Sequence, residues 1–162
     1  MNILHENGIV HRDINSANIF LTSDGNLKLG DFGCCMKLKN QTTMCGELSA
    51  FVGTPAYMAP EIFSRNSLVE GHGRAADIWS IGCVVLEMLT GRRPWHDLEN
   101  SYQIMFKVGM GESPEVPDDM CPEGRSFIAR CLMHDPRLRM STGQLLCHPF
   151  TKVLDEDDVD DI

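Results

Sequence analysis

Residues 11–18 read His11-Arg12-Asp13-Ile14-Asn15-Ser16-Ala17-Asn18, and Asp31-Phe32-Gly33 follows a short distance on. Between them lie Ile19-Phe20-Leu21, the polar turn Ser23-Asp24-Gly25-Asn26, and Leu27-Lys28-Leu29. Asp-Gly between two short apolar runs is a strong hairpin signal. Such a hairpin returns the chain to its start, so Asn18 and Asp31 are expected to face one point. Gly33 permits a sharp departure of the chain after Asp31.

Working outward, residues 2–8 read as a helix stopped by Asn7-Gly8. From Asp31 to Pro60 there is little periodicity, with Gly33, Gly46, Gly53, Pro55 and Pro60 as punctuation. An irregular stretch that long inside a domain is expected to be functional or mobile. The rest is helical in pattern. Ala75 to Thr90 is apolar nearly all round, including Met88 and Leu89, and is expected to be buried on every face. Gly91 ends it. Asn100 to Val108 forms a shorter helix, Gly109 to Pro122 a loop, and Glu123 to His134 a helix with Phe127/Ile128 stacked on Cys131/Leu132. Ser141 or Thr142 caps a last helix through Leu145-Leu146.

The length of 162 residues is enough for one domain with a real core, and 43% hydrophobic with 23% charged residues excludes a disordered chain. The formal charge of −9 is mostly local. Six carboxylates fall in Asp155–Ile162, and without them 14 basic side chains stand against 17 acidic ones. No basic patch argues for nucleic acid or an anionic membrane. The longest apolar run, Ile81 to Leu86, is too short to span a bilayer. No basic-then-apolar leader opens the chain. Its seven cysteines therefore read as reduced thiols in the cytosol or nucleus, and a cytoplasmic location is expected.

Phosphoryl transfer needs a carboxylate that orients a hydroxyl and takes its proton late, and oxygen ligands that hold Mg²⁺ against phosphates. Asp13 suits the first task, Asn18 and Asp31 the second. The segment resembles the catalytic loop and metal-binding motif of eukaryotic protein kinases, H-R-D-L-x-x-x-N followed by D-F-G. Ala59-Pro60-Glu61 is similar to the element closing the activation segment, here 31–61. Gly53-Thr54-Pro55-Ala56-Tyr57-Met58 resembles the substrate-side loop of Ser/Thr rather than Tyr kinases. Asp77-Ile78-Trp79-Ser80 resembles the start of the central helix of the large lobe, and Asp135-Pro136 with Arg139 the element whose Arg pairs with Glu61. Five motifs in the correct order leave chance negligible. Gly71–Asp77, Gly91–Trp95 and Val108–Gly111 further resemble MAP kinase kinase kinases of the MEK-kinase type, its fourth subtype most of all.

The resemblance implies a mainly α fold: a kinase C-terminal lobe, a helical bundle with a small β-hairpin, over 1–152, with 153–162 an acidic disordered tail. It implies ATP and Mg²⁺ as cofactors, with Asn18 and Asp31 as cofactor and metal ligands, and a MAP kinase kinase as protein substrate. It implies catalytic roles for Asp13 and for Thr54, which contacts Asp13 and the substrate hydroxyl; Thr54 beside Pro55 also fits plain turn chemistry. Arg12 is expected to receive a phosphorylated activation-loop residue. Thr42, Thr43, Ser49 and Thr54 are candidates, the first three favoured as regulatory. Asp77 is expected to be structural, accepting backbone N–H groups of the His11–Arg12 segment, and Glu61–Arg139 a buried ion pair. His5, His72, His96, His134 and His148 show no partner pattern.

Two departures stand out. The family has a Lys two residues after the catalytic Asp, where this chain has Asn15, which brings a hydrogen bond but no charge to the transferring phosphate. No glycine-rich loop, strand Lys or partnering Glu precedes His11 within these residues, so the N-terminal lobe is missing and the isolated chain is expected to be inactive. That absence would expose Phe20, Leu27, Leu29 and Phe32 on the inter-lobe face, a surface for association. Three readings stay open. The first is an enzyme lobe of a longer product. The second is a docking module or competitor acting through 99–122 and the activation segment. The third is a fragment with no role of its own.

Overall fold

A nineteen-residue helix, α3 (His72–Thr90), is the spine of the molecule. The computed structural model describes residues 1–38, 52–63 and 72–152. Helices α1 (Asn2–Glu6), α2 (Pro60–Phe63), α4 (Ser101–Gly109), α5 (Pro122–Cys131) and α6 (Thr142–Leu146) complete the helical set. Four short strands form two antiparallel pairs. β1 (Ile9–Val10) pairs with β4 (Met36–Lys37), and β2 (Ile19–Leu21) with β3 (Leu27–Leu29). The fold is mainly α, with a small β-hairpin, as expected.

Helix α3 packs on α5, α2 and β1, and on two 3₁₀ turns, Pro55–Tyr57 and Pro136–Leu138. Its Ile78, Trp79, Cys83, Val84 and Leu86 are buried, and burial of each such side chain contributes about 1.5–3 kcal/mol. Close approach to α5 depends on Gly82, where a Cβ would come within 2.6 Å of the Cys131 Cβ. Two expectations are corrected here. The helix begins at His72, not Ala75, and it is not buried on every face: Met88 and Leu89 are exposed. The helix ends at the surface, where Gly91 (φ +66°) turns the chain away and leaves the last turn uncovered on one side.

The hairpin has the boundaries its turn dictates, with Ile19 opposite Leu29 and Leu21 opposite Leu27. Phe20, Leu27 and Phe32 are exposed; Leu29, expected among them, is half-buried. The pairing of β1 with β4 lies outside anything periodicity could reveal, and so do α2 and the 3₁₀ turns of the activation segment. Asn100 caps α4 through the Gln103 N–H, and Ser141 with Gln144 forms a reciprocal cap on α6. Thr142 instead donates to Asn2 Oδ1 at 2.8 Å and ties α6 to α1. The six cysteines among the described residues are free thiols. None of the described helices is long and apolar enough to cross a membrane.

Candidate active site

Everything around Asp13 hangs from Asp77, near the start of α3. Its buried carboxylate accepts three hydrogen bonds, each of 2.9 Å: from the backbone N–H of His11, the backbone N–H of Arg12, and Nε2 of His5. Arg12 sits at φ +71°, a left-handed conformation costing a non-glycine residue on the order of 1–2 kcal/mol. Asp77 holds that strained turn in place. His5 was expected to be ordinary; it is buried on α1 and orients Asp77. No local pattern connects positions 72 residues apart, so the sequence carried no signal of it.

The turn presents Asp13 to three residues. Its Oδ1 accepts from the Thr54 hydroxyl (2.8 Å), the Thr54 N–H (3.0 Å) and Asn15 Nδ2 (2.9 Å). Asn15 Nδ2 also lies 3.1 Å from the Thr54 hydroxyl. Asp13 Oδ2 receives, among the described residues, only a longer bond, 3.3 Å, from Asn18 Nδ2, which also donates to the Asp13 carbonyl at 3.0 Å. One carboxylate oxygen is saturated and the other is lightly engaged. Gly53 makes this closeness feasible: at φ +120°, a Cβ there would lie 2.7 Å from the Arg12 carbonyl oxygen.

His11 joins the two halves of the site. Fully buried, it accepts from the Asp13 N–H through Nδ1 (3.4 Å) and reaches the Gly30 carbonyl through Nε2 (3.0 Å), with the Phe32 ring edge-on at 5.1 Å. The Gly30 N–H in turn donates to the Asn18 carbonyl at 2.8 Å. The hairpin therefore returns Asp31 to the side of Asn18. Asp31 is exposed at φ +53°, and its Oδ1 accepts from the Gly33 N–H. Asn18 commits its amide nitrogen to Asp13, so its oxygen is the atom that could ligate a metal. No group of three His, Cys, Asp or Glu capable of holding a metal occurs among the described residues. One amide oxygen and one exposed carboxylate instead fit Mg²⁺, which keeps waters and takes phosphate oxygens rather than an all-protein cage.

Two further contacts brace the segment around Thr54 and Glu61. Glu61 and Arg139 form a two-pronged ion pair (2.6 and 2.7 Å), with the guanidinium also donating to the Met133 and Ala75 carbonyls and lying 5.1 Å from the Trp79 ring centre. Tyr57 donates to Glu87 at 2.6 Å, lies 3.1 Å from the Ser16 hydroxyl, and accepts from Ser80 at its carbonyl. Burial first, then the Glu87 hydrogen bond, pushes the Tyr57 phenol up to about 12. Tyr57, Ser16 and Glu87 escaped the sequence reading because each is unremarkable in its own neighbourhood. Arg12 flanks the site half-buried; Thr42, Thr43 and Ser49 lie outside the described residues, as do His72's side chain and the acidic tail.

A family model for the protein kinase domain matches residues 1–151, and the chain belongs to that family. It is similar to mitogen-activated protein kinase kinase kinase 4 of Mus musculus and of Homo sapiens, each 58% identical over 159 residues. Those alignments cover 98% of this chain and 10% of either relative. Mitogen-activated protein kinase kinase kinase 3 of Arabidopsis thaliana is 43% identical over 148 residues, 91% of this chain and 22% of the relative. The chain thus spans about a tenth of the length of the mouse and human relatives.

Proposed function

We propose that this chain is the substrate-side lobe of a serine/threonine protein kinase, which moves the terminal phosphoryl group of ATP to a protein hydroxyl in a MAP kinase cascade. The observation that carries the proposal is the asymmetry of Asp13. Thr54 and Asn15 hold Oδ1, so Oδ2 is the atom left to orient the substrate hydroxyl and accept its proton. Thr54, bonded to that aspartate, stands where the accepting residue would enter. Asn18 and Asp31 would hold Mg²⁺, which supplies charge neutralisation at the phosphates when bound. Asn15 spends its amide on Asp13 and Thr54 and brings no positive charge, so turnover is expected to be slow for the family. Arg12, half-buried beside Asp13, would receive a phosphorylated residue of the activation segment, with Thr42, Thr43 and Ser49 as candidates. The relatives' names support a MAP kinase kinase as substrate, and the absence of a membrane-crossing helix among the described residues is compatible with a cytoplasmic site of action.

These 162 residues hold no glycine-rich loop or strand Lys before Asp13, the parts that cover ATP. The chain by itself is therefore expected to lack turnover. A docking role without catalysis, through 99–122 and the activation segment, is the second reading; the exposed Phe20, Leu27 and Phe32 on the hairpin side would add a surface for association. A hybrid domain joining the ATP-binding lobe of the mouse relative to Met1 of this chain tests the first. Phosphate on Ser or Thr of a MAP kinase kinase supports it; a folded hybrid that binds ATP and transfers none overturns it.

A further inference from the structure

A cleft of about 560 Å³ lies between α1, the start of α3 and the start of α6. Half-buried Arg74 of α3 lines it, with Asn2 and Glu6 of α1 and with Ser141 and Gly143. Nε of Arg74 is buried and has no hydrogen-bond partner. A buried donor on a charged group is costly to leave without an acceptor. The neighbours do not supply one. Arg139, the other guanidinium on the cleft, is held by Glu61 at 2.6 and 2.7 Å. Glu6 accepts from Asn2 Nδ2 at 2.7 Å along α1, and Ser141 and Gln144 cap each other. What the cleft lacks is a carboxylate that takes Nε and a terminal nitrogen side-on, the pairing that a planar guanidinium favours.

The chain itself carries carboxylates within reach. The Thr151 hydroxyl donates to the Leu145 and Leu146 carbonyls at 2.9 and 3.2 Å, which pins the turn Pro149–Thr151 to the far end of α6. That helix has five residues, a length of about 7.5 Å. Lys152, the last described residue, therefore leaves from one end of α6 while the other end lines the cleft. Asp155 to Asp158, outside the described residues, follow three to six positions on, an extended reach of roughly 10–20 Å. Glu6 repels a carboxylate on the α1 side, which leaves the Ser141–Gly143 side, without an acid of its own, as the way in. A tether this short gives a local concentration in the millimolar range, enough for a contact that is weak by itself.

We infer that the acidic stretch 155–161 docks on the cleft between α1, α3 and α6 of its own chain, with one of its carboxylates paired side-on with Arg74. Docked there, it ties the end of the chain to the two helices that carry His5 and Asp77, whose contact supports the Arg12 turn. The contact does not depend on the kinase reading, since it is measured without catalysis.

Nuclear magnetic resonance of the whole nitrogen-15-labelled chain tests this through the Arg74 Nε–H signal and the Gly143 amide. The comparison is a neutral-tail variant carrying Asp155→Asn, Glu156→Gln, Asp157→Asn, Asp158→Asn, Asp160→Asn and Asp161→Asn together. Both signals are expected to move in it, Arg74 Nε–H upfield as it loses its acceptor. Raising salt from about 50 to about 500 mM should move the parent's signals the same way. A synthetic peptide of residues 152–162 is expected to restore them in the neutral-tail variant with a Kd on the order of 1 mM, and its Asn/Gln counterpart to leave them unmoved. With Arg74→Gln in place, neutralising the tail should no longer move Gly143. Gly143→Glu is the second variant, should Arg74→Gln not fold. It sets a competing carboxylate where a new Cβ has room, 3.9 Å from Asn2 Oδ1, and should make Arg74 Nε–H indifferent to the tail. Identical signals in the parent and the neutral-tail variant, or a tail effect that persists in either folded cleft variant, would overturn the proposal. Shifts that grow with protein concentration would also overturn it, in favour of the tail of a second copy.

Discussion

Asp77 accepts the backbone N–H of Arg12 at 2.9 Å, and Arg12 is one of three non-glycine residues at positive φ among those described. A carboxylate on the buried spine thus holds the one strained turn that aims Asp13. Asp77→Asn replaces one acceptor oxygen with an amide that faces N–H donors. It is expected to cost about 2–4 kcal/mol, since hydrogen bonds to charged acceptors are worth roughly 1.5–3 kcal/mol each. Urea unfolding measures the loss, and amide hydrogen exchange should show protection at Arg12 falling with it. A variant as stable as the parent would mean that Arg12 is held by other contacts.

The Glu61–Arg139 pair gives a sharper stability test. Truncating either partner alone leaves the other charge buried, at a cost of about 3–5 kcal/mol. Replacing both with apolar residues of similar size, Glu61→Leu with Arg139→Met, should recover part of that loss. A double variant no better than the worse single one would show that Arg139 works mainly through the Met133 and Ala75 carbonyls.

Gly53→Ala should disturb the site more than the fold. The added carbon meets the Arg12 carbonyl at 2.7 Å in a conformation alanine resists, so the segment must shift and Thr54 with it. Strain of this kind costs about 1–3 kcal/mol. Nuclear magnetic resonance should show the Thr54 N–H, now bonded to Asp13, losing its hydrogen-bonded shift.

Alkaline pH tests the Tyr57–Glu87 contact. Tyr57, with its phenol raised to about 12, stabilises the fold fully below the ordinary tyrosine value near 10. That contribution is lost as pH rises between about 10 and 12, since the unfolded chain gives up the proton first. Tyrosinate absorbance of a Tyr102→Phe variant, which leaves Tyr57 as its one tyrosine, should therefore rise near pH 12 and not near 10. A rise near 10 in that folded variant would contradict the Tyr57–Glu87 contact.

Much of this was legible locally. Asp24-Gly25 fixed the hairpin, Asn100 and Ser141 announced their helices, and the spacing from Asp13 to Asn18 to Asp31 was enough to suggest the chemistry. What stayed hidden was non-local. The two-residue strands β1 and β4 are too short for periodicity, and their partners are 26 to 28 positions apart. His5 meets Asp77 and Ser16 meets Tyr57 only once the chain has folded around α3. The exposed end of α3 misled because an apolar pattern reports what a helix is able to bury, not how far its neighbours extend.

The central claim is that Asp13 is the proton acceptor of a phosphoryl transfer. Its most direct test is the single-turnover rate of the hybrid domain with Asp13→Ala, compared with the unmodified hybrid at equal ATP occupancy. A fall of about 10²–10⁴-fold with ATP binding unchanged is predicted, the range for loss of a general base. An unchanged rate would contradict it.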